Sequence, residues 1–199
     1  MNRLFIGVLT AAGGLLAASA ASAQTVEYAY TPLDTAKCPH VRGKEPEDYG
    51  SWTCKGYGGM TVWVAGGDQR MFVSFGPRAR NEPAAKQTLA AFNSEGKNVE
   101  WRLVRGSDGK LRPFAAILRW NTTISNESGT VRGQVLVVTS LPPGAVCHVG
   151  YVDGRANPNA NDLAREIADK HARSFRCGAD TPIVLGPKGP GFSGPYGKD

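Results

Sequence analysis

Cys147 and His148 stand side by side in AVCHVGYVDG, residues 145–154. Sulfur beside imidazole fits three chemistries: a metal corner, a nucleophile with its base, or half of a disulfide next to a bystander. The local pattern decides among them. Residues 145–152 read as a strand, and neighbouring side chains of a strand point to opposite faces. Alternation groups Cys147 with Val149 and Tyr151, and His148 with Val146 and Val152. On opposite faces the two neither grip one metal nor exchange a proton. A zinc site needs further ligands at useful spacing, and neither C-x-x-C nor H-x-x-x-H occurs.

The four cysteines, Cys38, Cys54, Cys147 and Cys177, fit two disulfides instead. Three pairings are possible. The preferred one is Cys38–Cys54 with Cys147–Cys177. The first closes an irregular loop that has little else to hold it. The second ties strand 145–152 to the end of the helix that follows. Chain entropy puts each cross-link at about 3–4 kcal/mol, comparable to a sizeable part of a domain's net stability.

Other chemistry-bearing stretches dissolve on inspection. His171 falls on the apolar side of a helix, where a lone histidine reads as a boundary or core residue. His40 sits in a loop with nothing to position it. The stretch DGRANPNAND, residues 153–162, repeats oxygen side chains like a calcium loop. Arg155, Pro158 and Ala164 occupy positions where such a loop needs a ligand, a glycine and a bidentate glutamate. GFSGP, residues 191–195, lacks the spacing of a nucleophile elbow. KGYGGM, residues 55–60, lacks the Lys-Ser/Thr pair and the helix of a phosphate loop. No catalytic, metal or cofactor site is implied.

One constellation remains. Arg70, Arg102, Arg105, Arg112 and Arg119 cluster on predicted hairpins, interleaved with Trp63, Trp101 and Trp120. If Arg102 and Arg119 share an outer sheet face, their guanidiniums can bind an acidic polymer or a lipid headgroup as bidentate anion ligands. The preferred reading is a solvated face whose arginines meet ordinary counter-charges such as Glu100.

The elements that must position these residues follow from periodicity. Val26–Tyr30 reads as an edge strand, and 31–57 as loop. GMTVWVAGGDQRMFVSFG, residues 59–76, reads as a hairpin turning at Gly66-Gly67-Asp68. Residues 81–93 take helical period, with Ala85, Thr88, Leu89 and Phe92 on one face. A second hairpin spans 99–120 and turns at Ser107-Asp108-Gly109. Residues 121–130 read as a polar loop with sequons at Asn121 and Asn126. The run Val135–Val138 marks a strand covered on both sides. A helix over 158–176 follows, with Asn157 as N-cap, Pro158 at its start and Gly178 beyond its end. The sum is an α+β single domain: an antiparallel sheet of about six to seven strands with two helices packed on one face.

The N-terminus sets the compartment. Arg3, an uncharged apolar run over 4–18, and Ala21-Ser22-Ala23 read as a signal peptide cleaved after Ala23. The 15-residue run is short of the about 20 residues that span a bilayer. The expected organisation is a signal peptide over 1–23, an α+β domain over 24–185, and a disordered tail over 186–199. Eight of those last 14 residues are Gly or Pro. Losing Arg3 lowers the formal +6 by one. The remaining positive charges are spread out, which argues against nucleic acid.

WTCKGYGGMTVWVAGGDQRMFVSF, residues 52–75, resembles the cysteine-strand-hairpin start of periplasmic C-type lysozyme inhibitors, over about an eighth of the chain. The resemblance implies inhibition of an exogenous hydrolase. A basic inhibitor meeting a basic lysozyme is electrostatically disfavoured at encounter. The first reading is therefore a periplasmic or secreted non-enzymatic binding or structural module, whose partner is an anionic envelope polymer or a protein. The inhibitor is the second, and an enzyme with an unrecognised site the third.

Overall fold

The structure, a computed structural model, describes residues 25–45, 48–127 and 129–196. The expected signal segment, residues 1–23, lies outside them. Among the described residues, twelve strands form three sheets, and one α-helix packs on a face of the largest. The strands are β1 (Val26–Pro32), β2 (His40–Val41), β3 (Asp48–Lys55), β4 (Thr61–Gly67), β5 (Arg70–Phe75) and β6 (Thr88–Leu89). They continue as β7 (Phe92–Arg105), β8 (Leu111–Asn126), β9 (Gly129–Ser140), β10 (His148–Asp153), β11 (Ile183–Leu185) and β12 (Pro195–Tyr196). Helix α1 spans Ala160–His171. The α+β class holds, with more strands and fewer helices than periodicity indicates.

The large sheet runs β1-β7-β8-β9-β10-β11, and the small one β2-β3-β4-β5. All pairs are antiparallel except β10 with β11, which α1 joins as a crossover. The layers are small sheet, large sheet, helix. Alternation explains why: Val135 and Val137 face the small sheet, while Leu136 and Val138 face the helix. Trp101, Trp120, Val62, Val64 and Phe75 fill the inter-sheet core. Ala160, Ala164, Ile167 and Ala168 close the helix on Ile117, Val149 and Val152.

Several expectations need correction. Residues 81–93 form no helix; they make two 3-10 turns and then β6. A short isolated helix is marginal in water, and tertiary partners capture the polar groups here. The Glu82 carboxylate accepts the Val146 N–H at 3.1 Å, and Gln87 Oε1 accepts the His148 N–H at 2.8 Å. The supposed loop 121–130 is the tip of the β8–β9 ladder, paired down to Asn126 opposite Gly129. The first hairpin turns one step later than expected, at Asp68 and Gln69. Both have positive φ, 47° and 58°, as a two-residue primed turn requires. Asn159 rather than Asn157 precedes the helix.

The Gly/Pro-rich segment is placed on the body through residue 196. The Asn157 side chain donates to the carbonyls of Asp153 and Pro187, both at 2.9 Å. Thr122 Oγ1 donates to the Gly191 carbonyl at 3.0 Å, buried Ser193 accepts the Ala91 N–H at 2.8 Å, and β12 pairs with β6. A low-hydrophobicity segment can be held this way because its backbone, not its side chains, makes the bonds.

Both cysteine pairs are bonded: Cys38 with Cys54, Cα atoms 5.0 Å apart, and Cys147 with Cys177, 5.9 Å apart. No helix among the described residues is long and apolar enough to cross a membrane.

Candidate anion-binding site

Arg102 on β7 lies opposite Ala115, and Arg119 on β8 lies opposite Leu136. Alternation sends Glu100, Arg102, Ile117 and Arg119 to the helix side of the large sheet. The two arginines therefore share a face, but they do not share a task. Arg102 is 6% exposed. Its Nε and Nη2 donate to the two oxygens of Asp169 on α1, at 2.9 and 2.7 Å. Its Nη1 reaches Glu100 at 3.4 Å. A guanidinium engaged in this fork has no free edge for a ligand.

Glu100 is equally committed. Arg165 on α1 donates to it from Nε at 2.7 Å and from Nη2 at 3.2 Å, and the Tyr30 hydroxyl donates at 2.7 Å. Hydrogen bonding to Glu100 pushes the Arg165 pKa well above its ordinary value. Burial, then Glu100, raises that of Tyr30. Glu100 and Asp169 thus meet Arg102 and Arg165, and Arg165 also pairs with the exposed Asp162 at 3.2 Å, so these ion pairs fasten the helix to the sheet.

Arg119 stands outside this balance. Its guanidinium donates to Gln134 Oε1 at 3.1 Å and to Asn161 Oδ1 at 2.8 Å. Both acceptors are neutral. Half-burial pulls its pKa below the ordinary value, because a partly desolvated charge has no counter-ion to compensate it. The group is still cationic at any physiological pH. Gly154 leaves the guanidinium room, since a Cβ there would crowd Nη1, and Gly96 lets the β7 backbone approach the Arg119 carbonyl oxygen.

Arg119 lines a cleft of about 240 Å³ between β1, β7, β8 and the start of α1. Tyr30, Lys97, Asn98, Glu100 and Asn161 line it too. The ladder shifts register between Glu95 and Val99, so residues 96–98 bulge and form one wall. Lys97 also lines the cleft and carries a second positive charge, which Asp34 partly offsets. With Glu100 neutralised by its own partners, the cleft offers Arg119, Lys97 and two side-chain amides. This set accepts an anion with hydrogen-bonding groups around it.

The other arginines meet counter-charges, as the solvated-face reading expects. Arg70 pairs with Asp68 at 2.7 Å, Arg105 with Glu27 at 2.7 Å, and Arg112 with Asp108 at 2.6 Å. Trp101 and Trp120 lie in the inter-sheet core, on the face opposite Arg102 and Arg119. The interleaving of those two tryptophans with Arg102 and Arg119 therefore makes no mixed surface, while Trp63 stays part-exposed on β4.

His148 is fully buried, and burial drops its pKa to about 3, leaving the ring neutral. The β9–β10 register shifts between His148 and Gly150. This bulge overrides simple alternation. It puts His148 on the same side as Tyr151, with Nδ1 and the Tyr151 hydroxyl sharing a 3.0 Å hydrogen bond. His40 stacks on Trp52 at 4.7 Å, and His171 is exposed rather than on the packed side of α1. Among the described residues no group of three His, Cys, Asp or Glu side chains is arranged to hold a metal ion. In the calcium-like stretch, the Asp153 carboxylate accepts backbone N–H groups of Arg155, Ala156 and Gly189. It serves as an anchor for the chain.

Sequence reading missed Tyr28, Tyr30, Lys97 and Asn161. The only available signal was the i, i+2 spacing of the tyrosines on a strand, which puts both rings on one face. Comparison with protein families, curated proteins and solved structures returns no match to this chain.

Proposed function

We propose that this chain is an exported, non-enzymatic binding module of the cell envelope, periplasmic or secreted, that seats an anionic partner at Arg119. Two disulfides fit an oxidising compartment, and the 1–23 segment has the make-up of a signal peptide. The formal charge, +6 for the full chain and one lower once Arg3 is lost, favours encounter with anionic polymers. The observation that carries the reading is the half-buried Arg119 guanidinium, held by two neutral acceptors and, among the described residues, by no carboxylate.

Surface plasmon resonance over immobilised polygalacturonate and poly-L-glutamate tests this. The expected result is salt-sensitive binding that Arg119→Gln weakens about tenfold. Arg105→Gln, whose wild-type charge is matched by Glu27, leaves it unchanged. Equal losses in both variants would reduce the effect to net charge and remove the cleft from the account.

A further inference from the structure

We infer that the cleft takes an acidic oligosaccharide, with a uronate carboxylate on Arg119 and the next sugar stacked on Tyr28 and Tyr30. The inference rests on the anion-binding reading above and specifies its ligand. Tyr28 is 60% exposed and Tyr30 53%, and both are on the helix side of edge strand β1. Tyr30 lines the cleft, and the Tyr28 ring lies 5.8 Å from it, edge to face.

These rings are exposed but not loose. The Tyr30 hydroxyl is fixed between Glu100 and Arg165 Nη2, at 2.7 and 3.0 Å. The Arg165 guanidinium lies 5.5 Å from the Tyr28 centroid. Rings held in this way present apolar area with little entropy left to lose on binding.

The ligand's chemistry follows from what the surface supplies. A pyranose has C–H faces that pack on aromatic rings and hydroxyls at its rim. The Asn98 side chain offers donor and acceptor to hydroxyls, and Asn161 offers its donors. Asn161 Oδ1 is already used by Arg119, which leaves its amide N–H groups free to donate outward. Arg119 matches a planar carboxylate. A simple anion would use Arg119 and Lys97 and leave the tyrosines idle. A neutral sugar would leave the desolvated guanidinium uncompensated. An acidic sugar oligomer uses both halves.

Isothermal titration calorimetry of the purified protein decides the matter with three probes: trigalacturonate, its fully methyl-esterified form, and tri-L-glutamate. Trigalacturonate is expected to bind most tightly, and esterification to weaken it at least about tenfold. Tyr28→Ala is expected to weaken it roughly five- to tenfold, and Tyr28→Phe to restore it, since the ring face does the packing. Thermal melting of each variant checks that the fold is kept. Suppose triglutamate binds as tightly as trigalacturonate and Tyr28→Ala alters neither. The saccharide inference is then overturned, while an Arg119→Gln loss would keep the anion reading. Absence of any Arg119-dependent binding overturns both.

Discussion

Arg102 on β7 grips Asp169 on α1 with two parallel N–H···O bonds of 2.9 and 2.7 Å, across 67 residues of chain. The pair is the main polar bolt between helix and sheet, and Glu100 with Arg165 forms the second. Removing one member of such a pair leaves the other buried and uncompensated. Asp169 keeps 29% of its side chain in solvent, which moderates the cost. Asp169→Ala is expected to destabilise the fold by about 2–4 kcal/mol in urea unfolding. Arg102→Met combined with Asp169→Leu should recover most of that loss. A single-variant cost below about 0.5 kcal/mol would show the pair to be ornamental.

His148 supplies a pH dependence. Burial holds its folded pKa at about 3, below the unfolded value of about 6.5. The unfolded chain therefore takes up a proton that the folded chain refuses. The stability is complete above about pH 6.5 and falls as pH drops below it. The expected loss attributable to this ring is about 2 kcal/mol between pH 7 and pH 5. His148→Gln should flatten that slope, whatever it does to stability at neutral pH. An unchanged slope in the variant would assign the effect to other groups.

Asp153 acts in a lower window. Burial opposes its ionisation, but backbone N–H groups of Ala156, Gly189 and Arg155 prevail and hold its carboxyl below the usual range. Its contribution is thus present above the unfolded pKa of about 3.9 and lost as pH falls through the lower folded value. Asp153→Asn is expected to cost about 1–3 kcal/mol. It should also speed hydrogen exchange at the Gly189 amide, whose bond to Oδ2 is 2.8 Å. Unaltered exchange at Gly189 would mean that the tail segment is held by its other contacts.

Much of this was legible in residue types. The cysteine arithmetic reached the observed pairs because each pair closes an otherwise poorly held segment. The apolar side of α1 was readable from Ala160, Ala164, Ile167 and Ala168. The Val135–Val138 run announced a strand covered on both faces, and Ser107-Asp108-Gly109 announced the turn between β7 and β8. Local periodicity carries such features because burial imposes it directly.

What stayed hidden depends on partners distant in sequence. Residues 81–93 carry helical spacing, but Glu82 and Gln87 find backbone groups at Val146 and His148. The bulge at His148–Gly150 inverts the expected company of Tyr151. Five arginines look alike in sequence. Only the fold gives Arg102 to Asp169 and leaves Arg119 with Gln134 and Asn161. The candidate site is defined by that assignment, so it could be suspected from the sequence but not located.

The most direct test of the central claim is an NMR titration of the arginine Nε–Hε resonances with trigalacturonate and, separately, tri-L-glutamate. Arg119 is expected to shift first and furthest, followed by the side-chain amide of Asn161, while Arg102 holds still in its pair with Asp169. A stationary Arg119, with the shifts gathered instead at Arg70, Phe92 and Tyr196, would contradict it.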